Sequence, residues 1–68
     1  MDNRVRYFRF MRDEMSQAIL AERVGVSRQT IVAIEKGNYN PSVELALRLA
    51  KTLETTVEEL FTLDGGTR

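Results

Sequence analysis

Apolar positions recur at helical spacing along most of this chain, and residues suited to capping cut the pattern into short segments. The sharpest division is residues 16–39, SQAILAERVGVSRQTIVAIEKGNY, which reads as two short helices joined by a tight turn. Ser16 suits an N-cap, because its hydroxyl can accept from a backbone N–H that the first helical turn leaves unpaired. Leu20 and Val24 lie one turn apart on an apolar face, with Ile19 and Arg23 beside them, and Ala21 is small where the two helices approach. Gly25 falls where the chain must leave the first helix, and glycine takes positive φ without a steric penalty. Ser27 then caps a second helix whose Ile31 and Ile34 share one side. Lys36, Gly37 and Asn38 close it, with a cation in the last turn and a glycine just beyond.

The flanking segments follow the same logic. Asp2 or Asn3 is expected to cap a first helix running to about Asp13, with Val5, Phe8 and the aliphatic stem of Arg12 toward the core and Met15 closing the corner. Tyr7, Phe10 and Met11 form a second apolar strip on that helix, with two readings: packing on the C-terminal segment, or a homodimer interface. Asn38, Tyr39, Asn40 and Pro41 read as a loop, since proline drives the residue before it out of the helical region. Ser42 caps a fourth helix with Val43, Leu45, Ala46, Leu49, Ala50 and Leu53 as its apolar set and Leu47 widening the stripe. Glu44 in its first turn and Lys51 in its last suit the helix dipole. Thr56 through Glu59 has the pattern of a capping box opening a short fifth helix that ends near Phe61. Leu60 and Phe61 are expected to close the core, and the alternation of Phe61 and Leu63 predicts that residues 60–63 extend and pair with a second subunit. The domain is thus expected to be all-α, with five helices over residues 1–63 and a flexible tail over residues 64–68.

Composition narrows the chemistry. A chain of 68 residues holds one domain and one small core, for which oligomerisation is a reasonable source of further stability. With no Cys and no His, disulfides, thiolate chemistry, most zinc sites and the usual general base are removed together. No carboxylate pair sits in an evident pocket, so neither an enzyme nor a cofactor is expected. No apolar run approaches the ~20 residues of a membrane span, and a cytoplasmic location is expected. Net charge is zero, yet residues 1–40 carry seven cations against five acids and residues 41–68 carry three against five. That polarity suits a domain with one side facing a polyanion.

Ala21, Gly25, Ile31 and Ile34 together have helix-turn-helix spacing. On these residues the chain resembles the Cro/C1-type (Xre) helix-turn-helix family, over about residues 3–61, and SRQTIVAIEKGNYNPSVELALRLA is similar to its compact single-domain branch. The resemblance implies a five-helix, lambda-repressor-like DNA-binding domain in which helices 2 and 3 form the helix-turn-helix. If the second helix of the unit lies in the major groove, Ser27, Arg28, Gln29 and Thr30 point at base edges, with Ala33 one turn on. Arg28 suits guanine O6 and N7, Gln29 suits adenine, and Ala33 offers a methyl. In the phage repressors the positions matching Arg28, Gln29 and Ala33 read bases. Gln17, first in its helix, is carried over as a phosphate contact, and Thr30, Lys36, Asn38 and Tyr39 are further phosphate candidates. Arg9 and Arg12 are weaker ones. Glu35 either orients an Arg or Lys side chain or is a plain surface acid.

The function expected is sequence-specific regulation of transcription, in the manner of a repressor. A homodimer would set two recognition helices in successive major grooves, about 34–36 Å apart, on a near-palindromic operator of double-stranded DNA. With only residues 64–68 after Leu63, signals are expected to act through concentration, a partner protein or temperature-dependent assembly. The competing expectation is a protein-interaction module such as an antitoxin. Only Tyr7, Phe10 and Met11 are available to serve it.

Overall fold

Side-chain caps and left-handed exits set the lengths of the helices. The computed structural model describes residues 1–63, so the tail expected at residues 64–68 lies outside the described residues. Helices α1 (Val5–Met11), α2 (Gln17–Val24), α3 (Arg28–Glu35), α4 (Val43–Thr52) and α5 (Val57–Leu60) follow in order. Strands β1 (Asp2–Asn3) and β2 (Phe61–Thr62) join the two ends of this fold. Ser16, Ser27 and Ser42 cap α2, α3 and α4, accepting from the backbone N–H of Ile19, Thr30 and Leu45 at 3.1, 3.3 and 3.1 Å. Thr56 caps α5 in the same way, from Glu59 N at 3.2 Å. The capping box is only half made: the Glu59 carboxylate takes the Thr55 hydroxyl at 2.7 Å instead of the cap's own N–H.

Gly25 ends α2 at φ 82°, and the N–H groups of both Gly25 and Val26 return to Ala21 O at 2.9 and 3.0 Å. This satisfies a carbonyl that the helix end would otherwise leave open. A Cβ added at Gly25 would meet only Arg48 Nη1 at 3.4 Å, so the cost of substitution is the backbone's own. Gly25→Ala is therefore expected to lower stability by about 1–2 kcal/mol, the strain of an L-residue in the left-handed region, read as an earlier midpoint in urea.

The core is assembled from every helix. Val5, Met15, Leu20, Ala21, Val24, Ile31, Ile34, Leu45, Leu49, Ala50, Leu53 and Leu60 form one buried cluster, with Phe8, Val26, Val57 and Phe61 packed partly against it. Leu20, Val24, Ile31 and Ile34 are buried, as their spacing required, and so is Met15 at its corner. α2 packs on both α3 and α4, which fixes the helix-turn-helix as a rigid unit.

The first helix departs from expectation at both ends. It starts at Val5 behind Arg4, whose side chain makes no cap bond, because Asp2 and Asn3 are in β1. Asn3 still contributes: its Oδ1 accepts from Val5 N at 3.2 Å, and its Nδ2 donates to Ile34 O at 2.7 Å. The helix stops at Met11 because Asp13 and Glu14 lie at φ 58° and 53°, outside any helix. Arg9, and not Arg12, is the arginine turned into the core, since Arg9 lies one turn beyond buried Val5. Arg12 is half-buried and its Nη1 pairs with Glu54 at 2.5 Å.

Two further expectations are corrected. Val43 and Leu47 are 76% and 57% exposed, because the buried stripe of α4 is narrower, made by Leu45, Ala46, Leu49 and Ala50. The extended segment after Leu60 pairs within its own chain: β1 and β2 are antiparallel, with Asp2 opposite Thr62 and Asn3 opposite Phe61. Arg4 N continues this contact to Leu60 O at 2.8 Å. The small sheet is an addition to a fold that is otherwise helical.

Candidate DNA interface

The first turn of α3 carries the chemistry. Ser27 serves as cap, and its Oγ also lies 3.1 Å from Thr30 Oγ1, so the two hydroxyls hold one another at the helix start. Arg28 and Gln29 follow on the surface, exposed. Neither has a hydrogen-bond or ion-pair partner among the described residues. Ala33, one turn on from Gln29, is half-buried and presents only its methyl. A long guanidinium, a carboxamide and a small residue therefore share one end of an exposed helix, a set able to meet base edges.

Gln17 stands beside this turn at the head of α2. Its neighbour Ser16 uses its hydroxyl on Ile19 N and its carbonyl on Leu20 N, so the N–H groups of Gln17 and Ala18 have no acceptor among the described residues. The Gln17 carboxamide is not loose, because Nε2 donates to Glu35 Oε1 at 3.1 Å. Glu35 is the hub of the arrangement and was the least legible residue in it. Its two oxygens also accept from Arg9 Nε at 2.7 Å and from Arg9 Nη2 at 3.1 Å, a two-pronged pair that is nearly buried. Arg9 Nη1 completes its set on Met15 O at 2.7 Å. Thus α1, α2 and α3 are tied at one carboxylate, and Arg9 is a framework residue with no free charge for a phosphate. The signal available for this was the position of Arg9 one turn from Val5; the partner, in another helix, carried none.

After α3, Lys36, Asn38 and Tyr39 are exposed. Their side chains, more than their backbone, are free to reach outward, because Lys36 N and Asn38 N already donate to Val32 O and Ala33 O. Tyr39 lies beside Gly25 and Ser42, over the turn of the helix-turn-helix.

The α1 strip stays largely open, with Tyr7, Phe10 and Met11 49%, 48% and 60% exposed. It also divides. Tyr7 and Met11 border Leu53 and Glu54, whereas Phe10 shares an open depression with Arg6, Gln17 and Arg28. Phe61 is half-buried and lines a groove with Pro41, Val43, Leu47 and Val57, and Leu63 is 76% exposed. Among the described residues no helix is long and apolar enough to cross a membrane.

A capped helix pair in this geometry, presenting Arg28 and Gln29 from its second member, defines a helix-turn-helix DNA-binding domain. The comparisons agree: a family model described as helix-turn-helix matches residues 9–60. The chain belongs to the Cro/C1 (Xre) type of that family, whose members are DNA-binding transcriptional regulators and not enzymes. An HTH-type transcriptional regulator of Methanocaldococcus jannaschii is 46% identical over 61 residues, 90% of this chain and 91% of that protein. The HTH-type regulator YgzD of Bacillus subtilis is 47% identical over 64 residues, 94% of this chain and 96% of that one. Among solved structures, the restriction-modification controller protein C.AhdI of Aeromonas hydrophila aligns with a TM-score of 0.75 at 34% identity, covering 85% of this chain and 86% of that chain. The SinR/SinI complex gives 0.74 at 28% identity, covering 91% and 58%.

Proposed function

We propose that this chain is a sequence-specific regulator that binds double-stranded DNA as a homodimer and represses by occupying a near-palindromic operator. Two α3 helices would enter successive major grooves about 34–36 Å apart. The observation that supports this best is the exposed start of α3, where Arg28 and Gln29 have no partner in the described chain and face outward beside the Gln17 end of α2. Arg28, Gln29, Ser27 and Ala33 are assigned to bases, and Gln17, Thr30, Lys36, Asn38 and Tyr39 to phosphates.

A lone domain of this size reads few base pairs, so a second copy adds both affinity and symmetry. The groove bounded by Pro41, Val43, Leu47, Val57 and Phe61 fits that copy better than the α1 strip does. It opens directly after the loop leaving α3, so a two-fold contact there would fix the spacing of the two recognition helices. Val43 and Leu47, one turn apart and exposed, are apolar side chains a monomer has no use for at that position. A protein partner is the second reading. Tyr7 and Met11 stay open on α1, and SinR is solved as a complex with SinI.

The test is selection from random duplex DNA at about physiological salt, run in parallel with the chain and with Leu47→Asp. Enrichment of an inverted repeat by the chain, reduced to a single half-site or lost for Leu47→Asp, is expected. No enrichment by either would reject the DNA-reading function in favour of the protein partner. An inverted repeat retained in full by Leu47→Asp would move the dimer contact to another face.

A further inference from the structure

α1 has no assigned part in the interface, yet one of its arginines stands at the edge of it. Three arginines of the described residues are committed to carboxylates: Arg9 to Glu35, Arg12 to Glu54 and Arg48 to Glu44. Arg6 is not. It is exposed, has no ion pair among the described residues, and lines the same depression as Gln17, Ala18 and Arg28. Its guanidinium carbon lies 5.5 Å from the centroid of the Phe10 ring, one turn along the helix. The other face-on neighbour of that ring is Arg9, at 5.6 Å, whose charge Glu35 already balances.

From this geometry we infer that Arg6 is a DNA-backbone contact and that Phe10 is its seat, so that α1 belongs to the binding face. The inference rests on the DNA-reading function proposed above and extends its site. A guanidinium is planar and weakly hydrated, so an aromatic face can hold its stem and one side while its N–H groups stay available to phosphate oxygens. Phe10, half-exposed at a place where a solvated helix needs no aromatic, is explained as a positioning residue for that arm. A phosphate reached from the depression would meet Arg6 from α1 and, at the head of α2, the Gln17 and Ala18 N–H groups, which have no acceptor among the described residues. Such a contact reads no base. It adds affinity for every duplex and makes that affinity more sensitive to salt.

The experiment measures the affinity of the full chain for its selected operator and for a random duplex, from about 50 to 200 mM KCl. Arg6→Gln is expected to weaken both by the same factor and to reduce the slope of log K against log[salt] by about 0.9 per chain bound. Arg6→Lys should keep the slope, because the charge remains. Phe10→Leu should keep the slope but lower affinity several-fold, since the charge is present and unseated. An unchanged slope and affinity in Arg6→Gln, with the parent still preferring its operator, would overturn this inference and leave the DNA-reading function standing. If the parent itself shows no preference and no salt dependence, that function fails first. Thermal unfolding of Arg6→Gln matching the parent's excludes a structural cause.

Discussion

Glu35→Ala is expected to destabilise the domain by about 3 kcal/mol, more than any other single change to a polar side chain described above. The carboxylate accepts three hydrogen bonds, two from Arg9 and one from Gln17, and both members of the ion pair are only 10% exposed. Breaking such a pair by removing one partner typically costs about 3–5 kcal/mol, because the surviving charge is left without compensation in a poorly solvated place. The residual exposure and the remaining bond from Arg9 Nη1 to Met15 O put this case at the lower end. In a domain of this size each kcal/mol moves the melting temperature by roughly 4–8 °C, so a fall of about 12 °C or more should be seen by circular dichroism. Glu35→Gln keeps an acceptor and should cost clearly less. The double change Arg9→Met with Glu35→Leu should recover most of the loss, since an apolar pair leaves no charge behind. A melting temperature unmoved by Glu35→Ala would mean that the three helices are not tied at this residue.

The contrast between what was legible in the sequence and what was not follows from the range of each interaction. Ser16, Ser27 and Ser42 each cap across three residues, and Gly25 turns the chain within one, so their roles are written in adjacent letters. The helix-turn-helix and its exposed Arg28 and Gln29 were accordingly readable. The partner of Arg9 lies 26 residues away, and nothing near Glu35 distinguishes a hub from a surface acid. The pairing of β1 with β2 joins the two ends of the domain through two residues each, too short for a period-two pattern to register. Val43 and Leu47 failed for a different reason. Apolar identity on a helix says that a residue can be buried, and the direction of the core decides whether it is. That the misread pair lies beside Phe61 in one groove is what turns the error into an interface proposal.

Arg28→Ala is expected to cost ~1–3 kcal/mol per half-site on the selected operator and to relax preference at one base pair in each half. Among the described residues Arg28 has no acid to surrender, so the bidentate hydrogen bonds to guanine proposed for it would be gained against water alone. Gln17→Ala makes the instructive comparison. Gln17 is held by Glu35 and is proposed to contact the DNA backbone, so its loss should weaken all duplexes by one factor and leave the order of preferred sequences intact. Repeating the selection and the titrations with both variants separates the two outcomes: a changed logo for Arg28→Ala, an unchanged logo at lower affinity for Gln17→Ala. Should Arg28→Ala leave both affinity and preference as they were, the start of α3 does not face base edges. A uniform loss for Arg28→Ala, of the Gln17 kind, would place Arg28 on the backbone instead and pass base reading to Gln29 and Ala33.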